Sequence, residues 1–128
     1  MKFKLIFGLL LCACSAGTAQ AATANAATAP GHGPKSSWNE MQKFEYYLGD
    51  LAGALNLCRR DGLYRELREL AVLTPYGQAG LDAWLSIDAV RGCPGLSNAA
   101  KDILKDKEEI LDYLKARYDC SSGKCVER

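Results

Sequence analysis

Two sets of side chains in this 128-residue chain bear on chemistry: six cysteines, and the carboxylates Glu45 and Asp50 that flank one apolar helix stripe. Proton transfer near neutral pH falls most often to histidine. The single histidine, His32, stands between two glycines in a stretch without large apolar residues, and reads as a solvated linker residue. That removes Ser-His-Asp and Cys-His nucleophilic sites, histidine-based ribonuclease or phospholipase chemistry, and the common zinc hydrolase sites. No Gly-rich phosphate loop or EF-hand loop occurs, so no cofactor is implied. Carboxylate-pair catalysis survives, because two Asp or Glu side chains suffice for glycoside hydrolysis. Glu45 and Asp50 are its candidates, although the simpler reading makes both solvated helix residues. Asp50 lies beside Gly49 and Gly53, where a close helix crossing would shift its pKa.

The cysteines divide by position. Cys12 and Cys14 fall in an N-terminal export signal over residues 1–21, with basic Lys2 and Lys4, an apolar run from Leu5 to Ala13, and Ala19-Gln20-Ala21 as the small-x-small cleavage pattern. The preferred reading is cleavage after Ala21. The alternative is lipidation at Cys14 within Leu11-Cys12-Ala13-Cys14, which would tie the protein to a membrane face. The apolar run is shorter than the ~20 residues a spanning helix needs, and no other segment is longer. Export places Cys58, Cys93, Cys120 and Cys125 in an oxidising compartment, periplasmic or extracellular, where two disulfides are expected. Zinc is disfavoured because only Cys120 and Cys125 are closely spaced. A redox pair is disfavoured because Cys-x-x-Cys is missing.

These residues need elements to position them. Residues 22–35, rich in Ala, Thr, Gly and Pro, read as a flexible linker, and 36–128 as a single helical domain. Ser37 and Glu40 form a capping-box pattern before Met41, Phe44, Leu48, Leu51, Leu55 and Cys58, an apolar stripe over about Trp38–Arg60, with Gly62 as its stop. A second helix covers Leu63–Leu73. Thr74-Pro75 starts a third that runs to about Arg91. Gly92-Cys93-Pro94-Gly95 is a stop, and Ser97 caps a fourth helix to about Tyr118, with Lys107 at the edge of its stripe. Gly49 and Gly53 each cost about 1 kcal/mol in a helix interior, which a close helix–helix crossing explains. With no strand alternation, the fold class is all-α, a small antiparallel four-helix bundle.

Antiparallel neighbours bring Cys93 back to Cys58 and leave Cys120 beside Cys125, so Cys58–Cys93 and Cys120–Cys125 are the preferred bridges. If the third helix does not climb back, crossed pairs such as Cys93–Cys120 remain open. At least one of the adjacent Tyr46 and Tyr47 must point outward, which makes Trp38, Tyr46 and Tyr47 a candidate partner surface.

Without Lys2 and Lys4 the chain keeps 14 basic residues against 15 acidic ones, a balance that argues against nucleic acid as partner. The segment from Tyr47 to Leu55 (Tyr-Leu-Gly-Asp-Leu-Ala-Gly-Ala-Leu), running into Cys58 with a second cysteine at a later helix end, resembles a family of uncharacterised small exported helical proteins from alphaproteobacteria. The likeness spans Phe44–Tyr118 and leaves the Cys120–Cys125 tail outside. It implies a bacterial periplasmic helical domain and supports pairing Cys58 with Cys93. It brings no catalytic residues. The expected role is non-catalytic binding or accessory work on another envelope protein, with contact to a membrane only through lipidation at Cys14. The alternative is a small carboxylate-dependent hydrolase of cell-wall or glycan material.

Overall fold

The computed structural model of the chain describes Thr28, Ala29 and residues 31–128. The expected export signal and the candidate lipidation residue Cys14 lie outside the described residues. Five helices are described: α1 (Glu40–Leu57), α2 (Asp61–Ala71), α3 (Pro75–Asp82), α4 (Cys93–Leu104) and α5 (Lys107–Arg117). A two-residue antiparallel hairpin follows, β1 (Tyr118–Asp119) pairing with β2 (Val126–Glu127), Tyr118 opposite Glu127 and Asp119 opposite Val126. The helical fold and its two disulfides match expectation. The count of four helices does not.

Helix α1 starts two residues later than Ser37 and Glu40 suggest. The Asn39 side chain accepts from the Gln42 amide at 2.8 Å, and the Gln42 side chain accepts from the Asn39 amide at 2.9 Å, a complete capping box. Trp38 is left outside the helix, where its ring packs on Tyr46 and Tyr76 with centroids 5.7 and 5.0 Å apart. At the other end Gly62 is not the stop. Arg59 takes the left-handed conformation at φ 60, the Arg60 amide donates to the Leu55 carbonyl and the Arg59 amide to Asn56. This is a Schellman turn with arginine where glycine is usual.

Thr74 does cap α3, accepting from the Tyr76 amide with Pro75 in the first turn. The helix ends at Asp82 instead of about Arg91. The amides of Trp84, Leu85 and Ile87 bond to carbonyls three residues back, tightening the chain into turns that turn the Trp84 side chain onto α1. A stretch without regular structure then returns to Cys93, so the Cys58–Cys93 bridge forms by a route that a long third helix did not foresee. Gly92, at φ 78, begins α4 where a stop was expected; Pro94 is tolerated because first-turn amides have no intrahelical acceptor.

The expected fourth helix is two. Lys105 and Asp106 break it, and Lys107 begins α5 with its Nζ 2.8 Å from Glu69 and 3.6 Å from Glu66 of α2. Tyr118 leaves the helix for β1, and Cys120–Cys125 closes the hairpin turn.

Helix α1 is central. From Phe44 to Leu55 every residue except the half-buried Tyr47 is buried, with Leu48, Leu51 and Leu55 fully enclosed beside Leu67, Leu70, Leu96, Ile103, Ile110 and Leu114. Its crossing with α3 is made by glycine on both sides. A Cβ on Gly49 would collide with the Gly77 carbonyl, and one on Gly80 with the Tyr46 carbonyl, so the close approach expected at Gly49 is real. At Gly53 the space is filled by the Trp84 ring, 2.5 Å from where a Cβ would stand.

Candidate functional site

Because α1 runs through the middle of the molecule, its two carboxylates are not solvated. Glu45 is 0% exposed and Asp50 is 1% exposed. Five helical positions separate them, about 140° around the axis, and they sit in different polar sets.

Glu45 Oε1 accepts from the Thr74 hydroxyl at 2.5 Å and from the Tyr118 hydroxyl at 2.6 Å, while Oε2 has no partner among the described residues. The Thr74 hydroxyl also receives the Tyr76 amide, so the cap of α3 is anchored to α1 through this carboxylate. Arg117 Nε donates to the Tyr118 oxygen at 3.3 Å. Burial raises the Glu45 pKa, against the lowering effect of the Thr74 and Tyr118 hydrogen bonds and the Arg117 charge. The Tyr118 phenol is pushed up as well, first by burial and then by its bond to Glu45.

Asp50 Oδ1 accepts from the Trp84 indole at 2.6 Å and from the Ala29 amide at 3.2 Å, with the Thr28 hydroxyl as a further donor. Burial lifts its pKa from 3.8 to about 6, the three hydrogen bonds working the other way. Thr28 and Ala29 belong to the segment expected to be a flexible linker, yet Ala29 is 1% exposed against the body. The reason is polar: backbone and hydroxyl donors seek the buried carboxylate, which a search for apolar anchors overlooks.

Neither carboxylate lines the two surface cavities described next, and the two share no hydrogen-bond partner. This arrangement holds elements together.

Of the aromatic residues expected at a partner surface, only Tyr46 turns inward. Tyr46 is 4% exposed, whereas Trp38 and Tyr47 are half-buried. Trp38 joins Tyr46 to Tyr76, and Tyr76 meets Tyr118 at 6.5 Å, a run of rings from the start of α1 to the hairpin.

Exposed apolar surface lies elsewhere. Leu85 is 83% exposed on the turn after α3. It stands at a groove of about 540 Å³ between α1, α2 and that turn, lined by Gly53, Leu57, Tyr64, Arg68, Trp84 and Ile87 among others. A shallower hollow of about 340 Å³ lies at Tyr113, Arg117, Glu127 and Arg128.

All four cysteines of the described chain are in disulfides, with Cα separations of 5.8 Å for Cys58–Cys93 and 4.0 Å for Cys120–Cys125. The Cys120 and Cys125 sulfurs rest 3.5 and 3.1 Å from the Leu73 and Val72 carbonyls. Lacking S–H, they serve as contacts that cover the end of α2. Among the described residues no three His, Cys, Asp or Glu side chains are grouped to hold a metal ion, and no helix is long and apolar enough to cross a membrane.

Trp84, Thr74 and Tyr118 are the site residues that sequence reading missed as partners of the carboxylates. The available signal was α1 itself: around Glu45 and Asp50 it is apolar on every face, the pattern of a helix enclosed on all sides.

Comparison of the chain with protein-family models, with curated proteins and with solved structures gives no match.

Proposed function

We propose that this chain is a small exported, disulfide-stabilised helical module with a non-catalytic binding or accessory role toward another protein of the bacterial cell envelope. The observation that carries the reading is the groove beside Leu85: an 83% exposed leucine next to an open hollow, in a molecule whose buried carboxylates are both occupied internally. A partner would offer an apolar side chain to the Leu57, Trp84 and Ile87 walls, with Arg68 and Asp82 on the polar rim. Two disulfides support an oxidising address, periplasmic or secreted.

The hydrolase reading loses support from the same geometry, since Glu45 and Asp50 face no common cleft. The test is a photo-crosslinking residue at position 85, used in the intact envelope. One discrete adduct is expected, lost when Arg68→Glu or Ile87→Lys is added. Adducts that survive those changes, or none at all, would refute the groove. Turnover of glycan or cell-wall substrates abolished by Glu45→Gln or Asp50→Asn would restore the hydrolase.

A further inference from the structure

The two disulfides sit in different settings. Cys58–Cys93 joins the end of α1 to the first residue of α4 across 35 residues, and α4 has no side-chain cap of its own. Cys120–Cys125 spans five residues in the hairpin, and both of its sulfurs lie against main-chain carbonyls. Cys120 Sγ is 3.5 Å from the Leu73 oxygen, and Cys125 Sγ is 3.1 Å from the Val72 oxygen. These carbonyls follow the last residue of α2, beyond the reach of its own amides. Val72 also accepts from Gln78 Nε2 at 2.9 Å, and Leu73 has no other donor among the described residues.

Sulfur in a disulfide has no proton to give, so these acceptors gain little from the oxidised pair. A thiol is a donor, though a weak one. Opening the bond supplies two S–H groups, each already beside its own acceptor.

The hairpin has supports besides the bridge. β1 pairs with β2, Arg117 meets Glu127 at 3.1 Å, and the Arg128 amide donates to the Arg117 carbonyl at 2.9 Å. The Tyr118 hydroxyl donates to Glu45 at 2.6 Å. Within the turn the Ser121 amide donates to the Asp119 side chain at 3.0 Å, and the Gly123 amide to the Cys120 carbonyl at 3.3 Å.

We propose that Cys120–Cys125 is a thiol–disulfide exchange site, opened by an external dithiol while Cys58–Cys93 and the fold stay intact. The pair is a substrate of exchange and not its catalyst, in keeping with the missing Cys-x-x-Cys spacing. Residues 121–124 are exposed, Cys120 is half-buried and Cys125 is buried, so Cys120 is the sulfur within reach. A thiolate of the dithiol attacks Cys120 Sγ, forming a mixed disulfide and releasing the Cys125 thiolate, which takes a proton and donates to Val72. The second sulfur of the dithiol then closes its own disulfide and releases Cys120, which is protonated beside Leu73. Two electrons and two protons pass from the dithiol to the pair. Carbonyl acceptors favour the protonated thiol, so the opened pair is a poor nucleophile and rests reduced.

Loop size points the same way. Chain entropy makes a bridge across five residues on the order of 10-fold easier to open than one across 35, about 30 mV for a two-electron couple. The thiol hydrogen bonds add to that difference. The groove beside Leu85 plays no part here, so the exchange site and the proposed function fail separately.

The test equilibrates the full chain across a series of reduced-to-oxidised dithiothreitol ratios, alkylates free thiols and maps each cysteine by peptide mass. Cys120 and Cys125 are expected to reach half reduction at a ratio at least about 10-fold lower than Cys58 and Cys93. At a ratio that opens only the hairpin pair, NMR should show the Val72 and Leu73 carbonyl carbons moving downfield as they accept from thiols. The Arg128 amide and the helix amides should keep their protection from exchange. Bridges that open together, or Cys58–Cys93 opening first, overturn the proposal. So do carbonyl resonances that stay in place, or a hairpin that loses its amide protection once the pair is open.

Discussion

At Arg59 the backbone does what glycine does best. A left-handed φ of 60 on a residue with a Cβ closes the Schellman turn after α1, and the strain is local. Arg59→Gly should raise stability by about 0.5–1 kcal/mol in urea unfolding, with no change in the m-value. Ser97 is the converse case: 7% exposed, its hydroxyl has no partner among the described residues, so Ser97→Ala should be neutral or stabilising by about 1 kcal/mol. Glu45 has a pKa raised in the fold, so its charged form weighs against folding above that pKa, and the penalty fades as pH falls toward the unfolded value. Glu45→Gln keeps an acceptor for Thr74 and Tyr118. The variant should gain most over wild type near pH 8, and the gain should shrink on acidification; a gain that grows toward acid would reverse the assignment.

At the scale of elements, the crossing of α1 and α3 decides where everything else goes. Gly49→Ala drives a methyl into the Gly77 carbonyl, a backbone atom that no rotamer change can move aside. It should cost about 3 kcal/mol, seen as a lower urea midpoint. Gly62→Ala, with open space around its Cβ position, should by contrast stabilise α2 slightly. The start of α3 was legible because its cap is local, Thr74 satisfying the Tyr76 amide, whereas the α1 cap was read at Ser37, two residues before Asn39. The helix ends were not legible. α3 stops where Trp84 turns to Asp50, 34 residues back in sequence, and the break between α4 and α5 lies where Lys107 reaches Glu69, 38 residues back. No short-range pattern reports either.

For the whole molecule, the two bridges do unequal work. Cys58–Cys93 closes a separation of 35 residues, for which chain entropy predicts about 4 kcal/mol, and Cys120–Cys125 closes only five, for about 2 kcal/mol. Paired serine replacement of Cys58 and Cys93 should therefore lower the thermal midpoint more than the same change at Cys120 and Cys125, as calorimetry would show.

The sequence by itself determined the helical class and the caps of α1 and α3 to within a few residues, and it favoured the cysteine pairing that the fold adopts while leaving crossed pairs open. The class and caps rest on periodicity and on side chains that bond their own neighbours; the choice among pairings needed the path of the chain after α3. The burial of Glu45, Asp50 and Tyr46, the docking of Ala29, and the exposure of Leu85 needed the assembled fold. Each depends on which face of α1 another element covers, and with glycines on both sides of the crossing that covering is set by backbone contact, which leaves little trace in hydrophobic pattern.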